Sequence, residues 1–213
     1  MNAARSWLLV CAVHGVASML LWWARAGTVD ALTWRDEQWL VQPWTLWTSA
    51  WVHMNTPHLI LNQLALGALT AFAWVIRPDG RCTLAWLLAW PLVQLTLPLW
   101  PQIGYSVGLS GPLHAGAAIL SVHLLCKRVN VPKARRWGTL LLLGLLLKVA
   151  VERGWRYPVV WDAGSNMSVV QAAHLSGVVC GLLLGGLLAV RWRKPASWAR
   201  GQSGRTTSAR SVI

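Results

Sequence analysis

A chain of 213 residues with 55% hydrophobic and 12% charged residues does not have the composition of a soluble domain. The formal net charge of +13 would suit a nucleic-acid binder. Of its 19 Lys and Arg, 14 sit at the start, in alternate loops and in the tail, with no basic helix or stacking platform, so nucleic acid is excluded as a partner. The composition leaves an all-α, polytopic membrane protein.

Six apolar runs are predicted to cross the bilayer: residues 6–24, 57–76, 82–99, 109–126, 137–151 and 168–190. Each is near the roughly 20 residues a membrane-spanning helix needs, with the third and fifth on the short side. Residues 1–192 read as one membrane domain, and 193–213, rich in Ser, Arg and Gly, as a basic, disordered cytoplasmic tail. Arg5, Arg77, Arg81, Lys133, Arg135 and Arg136 lie at the start or between alternate runs, which puts both termini in the cytoplasm by the positive-inside rule. The first run is too long for a cleaved signal peptide, and no small-residue cleavage site follows it.

The first run carries His14, expected to face the bundle because an imidazole in lipid would be unsatisfied. Between Arg25 and Pro57 lies a long segment with Asp30, Asp36, Glu37 and the Trp-rich stretch Trp44 to Trp51. It reads either as a helical hairpin in the headgroup layer or as a plain loop. Seventeen Trp stand against a single Phe, and those clustered at span ends and in this segment, Trp34 and Trp51 among them, read as interfacial anchors.

The second run opens with His53, Pro57, His58 and Asn62. Proline is tolerated in a first helical turn, and the four-residue separation puts His58 and Asn62 on one helix face. Two polar groups one turn apart in an apolar helix need each other, another helix or a water-filled cavity. No metal is expected, since His53 and His58 lack zinc-ligand spacing and an intervening Glu. Donors aimed at a developing oxyanion fit these residues better.

Pro91 and Pro98 should kink or end the third run. The fourth follows Gly108-Leu109-Ser110-Gly111, and beyond Ser110 its face holds His114, Ala117, Ala118 and Ser121. Apart from His114 these are small, so that face can take a close neighbour. In the fifth run, Lys148 and Glu152 form an i,i+4 pair, read as a local ion pair or as a substrate contact. The sixth carries His174 with Gly177, Gly181 and Gly185 on one continuous stripe. Cys11, Cys82, Cys126 and Cys180 show no CxxC spacing and are expected as free thiols.

If the small stripes of the fourth and sixth runs face each other, Ser110 and His174 meet. A serine hydroxyl becomes a useful nucleophile when a base takes its proton, and neutral histidine is the base suited to pH near 7. With no Asp or Glu inside a span near either residue, the expectation is a Ser/His dyad without a cofactor. His58, Asn62 and the Ser110 amide are the candidate oxyanion donors.

These motifs, Gly108 to Gly111, His53-x4-His58-x3-Asn62 and Ala173-His174-x2-Gly177-x3-Gly181, resemble in identity and order those of rhomboid intramembrane serine proteases. The resemblance implies a six-transmembrane-helix rhomboid-like bundle with Ser110 as nucleophile, His174 as base, and His58, Asn62 and the Ser110 amide as oxyanion hole. His114 stands where many rhomboids have a tyrosine stacked on the catalytic ring. Together with Lys148-x3-Glu152 and a six-span layout it resembles the rhombosortase branch, although Ala115 replaces a glycine common there. That branch implies a bacterial inner-membrane enzyme whose site opens toward the periplasm. Its substrates are secreted proteins held by a C-terminal Gly-Gly motif, a transmembrane helix and a basic end. The alternatives are a general rhomboid protease of other single-span proteins and a non-catalytic, client-binding rhomboid-like protein.

Overall fold

In the computed structural model, residues 3–126, 129, 131–164 and 166–190 are described. The basic tail expected at 193–213 lies outside them. Helices dominate: α1 (Ala3–Leu21), α2 (Ala26–Leu32), α3 (Thr45–Thr48), α4 (Thr56–Ile76), α5 (Gly80–Thr96), α6 (Ser110–Leu125), α7 (Ala134–Glu152) and α8 (Gln171–Val190). The fold is not purely helical. A two-residue ribbon pairs β1 (Trp34–Arg35) with β2 (Tyr105–Ser106), and a hairpin pairs β3 (Val159–Asp162) with β4 (Met167–Val170), both antiparallel.

Local chemistry sets the helix ends. Asn55 caps α4 by accepting the His58 N–H at 2.9 Å, and Pro57 occupies the first turn, where no amide hydrogen is needed. The Asp79 carboxylate caps α5 by accepting the N–H groups of Arg81 and Cys82, each at 3.1 Å. Pro91 is accommodated inside α5, while Pro98 falls in the 3-10 turn Leu97–Leu99 that ends it. The sixth run starts three residues later than read from hydropathy, because residues 168–170 belong to β4.

Among the described residues four helices, α1, α4, α5 with the 3-10 turn that follows it, and α8, are long and apolar enough to cross a membrane. Of the other two expected spans, α6 has 16 residues, and α7 carries Arg135, Arg136, Lys148 and Glu152. The central element is nonetheless α6, which packs on α4, α5, α7 and α8 and makes its most extensive contact with α8. Beta carbons added at Gly177 and Gly181 would lie 2.3 Å from the Gly111 carbonyl oxygen and 2.5 Å from that of Ala115. The two backbones therefore touch, and the stripes face each other as expected.

The tryptophans divide differently from the interfacial reading. Trp23, Trp74 and Trp161 are exposed, but Trp7, Trp34 and Trp86 are fully buried. Trp7 stacks on Trp86 at 4.3 Å, and Trp51 donates its indole N–H to His14 Nδ1 at 3.1 Å. An indole with an N–H to place serves as readily inside a bundle as at its rim. The segment between α1 and α4 is likewise no simple hairpin: α2 and α3 flank the extended β1, which ties it to the strand just before Ser110.

Candidate active site

Ser110 is the first residue of α6, and the local sequence explains its placement. Gly108 adopts φ +100°, a left-handed conformation that glycine takes without strain, and turns the chain into the helix. A beta carbon there would strike His58 Cε1 at 2.4 Å, so the position also lets the His58 ring lie against the loop. Leu109, at the N-cap, offers no side-chain cap. The first amides of α6 are thus left without intrahelical acceptors, and the positive end of the helix dipole faces the same place.

On α8, His174 is buried, and its Nε2 lies 3.0 Å from Ser110 Oγ. Its other nitrogen, Nδ1, faces a carboxylate: the Glu152 oxygens are 2.9 and 3.1 Å away. The expectation that no acidic group approaches the pair does not hold. Glu152 is the last residue of α7, and the chain returns to α8 beside it. Read as the ion-pair partner of Lys148 or as a substrate contact, it gave no sign in sequence of reaching His174. Glu152 does bond Lys148 Nζ, so both contacts exist at once.

His114, one turn after Ser110, stacks on the His174 ring with centroids 4.4 Å apart and planes 13° from parallel. Its Nδ1–H donates to the Ser110 carbonyl at 2.7 Å, which fixes the ring over its neighbour. His53 and Asn62 form a second unit. Burial holds the His53 imidazole down at about 4, so the ring is neutral. Its Nδ1–H donates to the Trp51 carbonyl at 3.1 Å, leaving Nε2 to accept from Asn62 Nδ2 at 3.2 Å. The amide keeps a second N–H to offer. His58 Nδ1 is buried without a hydrogen-bond partner.

A cavity of about 240 Å³ joins these groups; its walls include His58, Asn62, Gly108, Ser110, His174 and Lys148. Gly177 and Gly181 lie outside it and act through the α6–α8 seam. At the other end of the bundle, ligand atoms of Asp79, Cys82 and His123 come within 4.8 Å of one another. Cys82 Sγ lies 3.3 Å from His123 Nδ1. Reasoning from cysteine spacing along the chain had no means of finding a cluster assembled across two helices. All four cysteines are free thiols.

The fold is that of an integral, mostly helical membrane protein with an alcohol and an imidazole joined inside the bundle. Residues 40–191 match the Rhomboid domain, and the chain belongs to the rhomboid family. Members of that family are usually intramembrane serine proteases, which supports a protease-like function in general terms. Comparison with curated proteins gives no match.

Proposed function

We propose that the protein is an intramembrane serine endopeptidase in which Ser110 attacks a peptide carbonyl and His174 takes the hydroxyl proton. The observation that carries this reading is the 3.0 Å contact between Ser110 Oγ and His174 Nε2, opening onto a cavity at the head of α6. As the Oγ–C bond forms, the proton moves to Nε2 and the carbonyl oxygen becomes an oxyanion. The Ser110 amide, the spare Asn62 N–H and His58 are the donors for it, each worth about 2.7 to 4 kcal/mol of barrier by comparison with oxyanion-hole mutants. His174 then gives its proton to the leaving amine as the C–N bond breaks. Water or an amine resolves the ester on Ser110.

The arrangement also suits a site within the bilayer. In this reading all six long helices cross, α6 and α7 screened from lipid in part by their neighbours. A 16-residue helix rises about 24 Å. Against a hydrocarbon core of about 30 Å, that leaves Ser110 several ångströms below the surface. The orientation has both termini cytoplasmic and the cavity opening to the periplasm of a bacterial inner membrane. Substrates are single-span proteins, with the rhombosortase-like class (Gly-Gly, transmembrane helix, basic end) favoured. Glycines unwind from a helix about 1 kcal/mol more readily than alanine and so reach Ser110 extended.

Co-expression in membranes with a reporter carrying such a tail tests the reading, with the new C-terminus determined by mass spectrometry. Cleavage by the wild type, lost in Ser110→Ala and in His174→Ala, is the expected result. Full activity in either variant overturns it.

A further inference from the structure

We infer that Glu152 is a positioning residue for His174, so that the site works through three residues, Ser110, His174 and Glu152, instead of a dyad. The inference rests on the protease reading above and deepens it.

Three observations favour this role over a local ion pair with Lys148. First, both carboxylate oxygens lie within hydrogen-bond reach of His174 Nδ1, at 2.9 and 3.1 Å. An ion pair with Lys148 alone would leave the carboxylate free to face solvent with it. The Lys148 side chain is 47% exposed, whereas that of Glu152 is only 15% exposed and turns inward. Second, Glu152 ends a helix, where the dipole disfavours an anion by about 0.3 to 1 kcal/mol. Lys148 one turn back offsets that cost and leaves the charge available to His174. Third, the backbone is shaped to hold the contact. A beta carbon at Gly154 would meet the Gln171 carbonyl oxygen at 2.6 Å, so the turn after α7 presses against the first residue of α8. The Ala172 N–H donates to the Pro158 carbonyl at 3.2 Å, closing the same junction.

The chemistry follows from what a carboxylate can do. An ionised carboxylate only accepts hydrogen bonds, so the His174 proton must sit on Nδ1, and Nε2 is left as the lone pair that faces Ser110. A free imidazole chooses between two tautomers; this one does not. When Nε2 takes the serine proton, the ring becomes a cation with His114 of α6 stacked on it, His58 of α4 near it, and Lys148 of α7 bonded to Glu152. Glu152 is the carboxylate bonded to it, and it stabilises that cation without itself becoming protonated.

The test is steady-state cleavage of the tail-bearing reporter by purified full-length wild type, Ser110→Ala, Glu152→Gln and Glu152→Asp, over a range of pH. Glu152→Gln keeps the shape and removes the charge. Its kcat is expected to fall roughly 10²- to 10⁴-fold, the upper figure being that for the corresponding change in a serine protease. KM should stay within about twofold, because the group acts on the base and not on substrate binding. The acidic limb of the rate profile should move to lower pH, since the neutral amide no longer favours the ring cation. Glu152→Asp, charged but shorter, should recover part of the rate. A merely structural carboxylate would lower thermal stability and leave the pH profile in place. Turnover that requires Ser110 but is unchanged, in rate and profile, in Glu152→Gln overturns the inference alone. Turnover that persists in Ser110→Ala overturns the protease reading and the inference with it.

Discussion

The two sides of α6 are built on opposite plans. Toward α8, glycine and alanine bring the backbones into direct contact, and Thr96 adds a hydrogen bond from α5 to Ser176 of α8 at 2.7 Å. Toward the other side, α7 comes close to α6 at Gly138, where an added beta carbon would lie 3.0 Å from the Ser121 carbonyl oxygen, but α4 and α7 stand apart and leave an apolar groove of about 550 Å³, with Ala68 and Phe72 on one wall and Trp137 and Leu141 on the other. The difference separates two requirements. For the proposed chemistry Ser110 and His174 must be held to a fraction of an ångström, and they lie on the tight side; the loose side carries no residue of that chemistry except at its upper end, where Lys148 and His114 line it.

Substitution can break that contrast. Gly177→Val is expected to have the largest effect, because its first carbon already meets the Gly111 carbonyl at 2.3 Å and no side-chain rotation relieves a backbone clash. A loss of about 3 kcal/mol or more is expected, the upper end for overpacking, seen as a drop in thermal midpoint in detergent. His114→Ala should lower turnover by roughly 10²-fold, the usual cost of a base misplaced by about 1 Å, with little change in midpoint, while His114→Tyr keeps a ring over His174 and retains part of the rate. Equal losses of stability and activity in both would mean that the stacking is structural only.

Smaller effects sharpen the contrast at its margins. Asp79→Ala, removing the α5 cap, should cost about 1 kcal/mol. Burial raises the proton affinity of that carboxylate, but its hydrogen bonds from Cys82 and Arg81, with the nearby His123, outweigh burial and leave it below its ordinary value. The folded state therefore favours the ionised form. The resulting stabilisation is present at neutral pH and is lost as pH falls through the acid range, a dependence that Asp79→Ala should lack in thermal melts. Ala68→Leu in the groove should be smallest, within about 0.5 kcal/mol, since it adds apolar volume where there is room. A midpoint shift comparable to that of Gly177→Val would show that the loose side is not loose.

How much of this was legible in the sequence depends on the range of each interaction. The meeting of Ser110 with His174 followed from two collinear small-residue stripes, because helical periodicity fixes which residues share a face. The stacking of His114 was implied only by the resemblance to rhomboids, many of which have a tyrosine stacked at that place. Glu152 was not legible, since its nearest partner along the helix, Lys148, accounted for it locally and nothing in a single helix says which neighbour its last turn meets. Trp34, read as an interfacial anchor, was misread for a related reason: the residues it is buried among come from elements as distant as α8. The stacking of Trp7 on Trp86 was not legible either, since they are on different helices and a stacked pair leaves no periodic trace in either. Neither two-stranded ribbon was foreseen, since strands of two to four residues are too short to show alternation.

The pairing of Trp34 with Ser106 has a consequence for biosynthesis. Trp34 is fully buried in the finished protein, in a cluster with Leu46, Val93, Leu97, Ile103, Ala172 and Ala173, most of which come from later elements. The last of them leave the ribosome only as the final long helix is being made. Leu46 and Trp39 follow within a dozen residues, but until α8 is made the cluster lacks Ala172 and Ala173 and the indole's burial is incomplete. The serine loop, which follows directly on β2 of the same ribbon, is accordingly completed near the end of synthesis, and a nascent chain halted before α8 carries Ser110 in an unfinished setting.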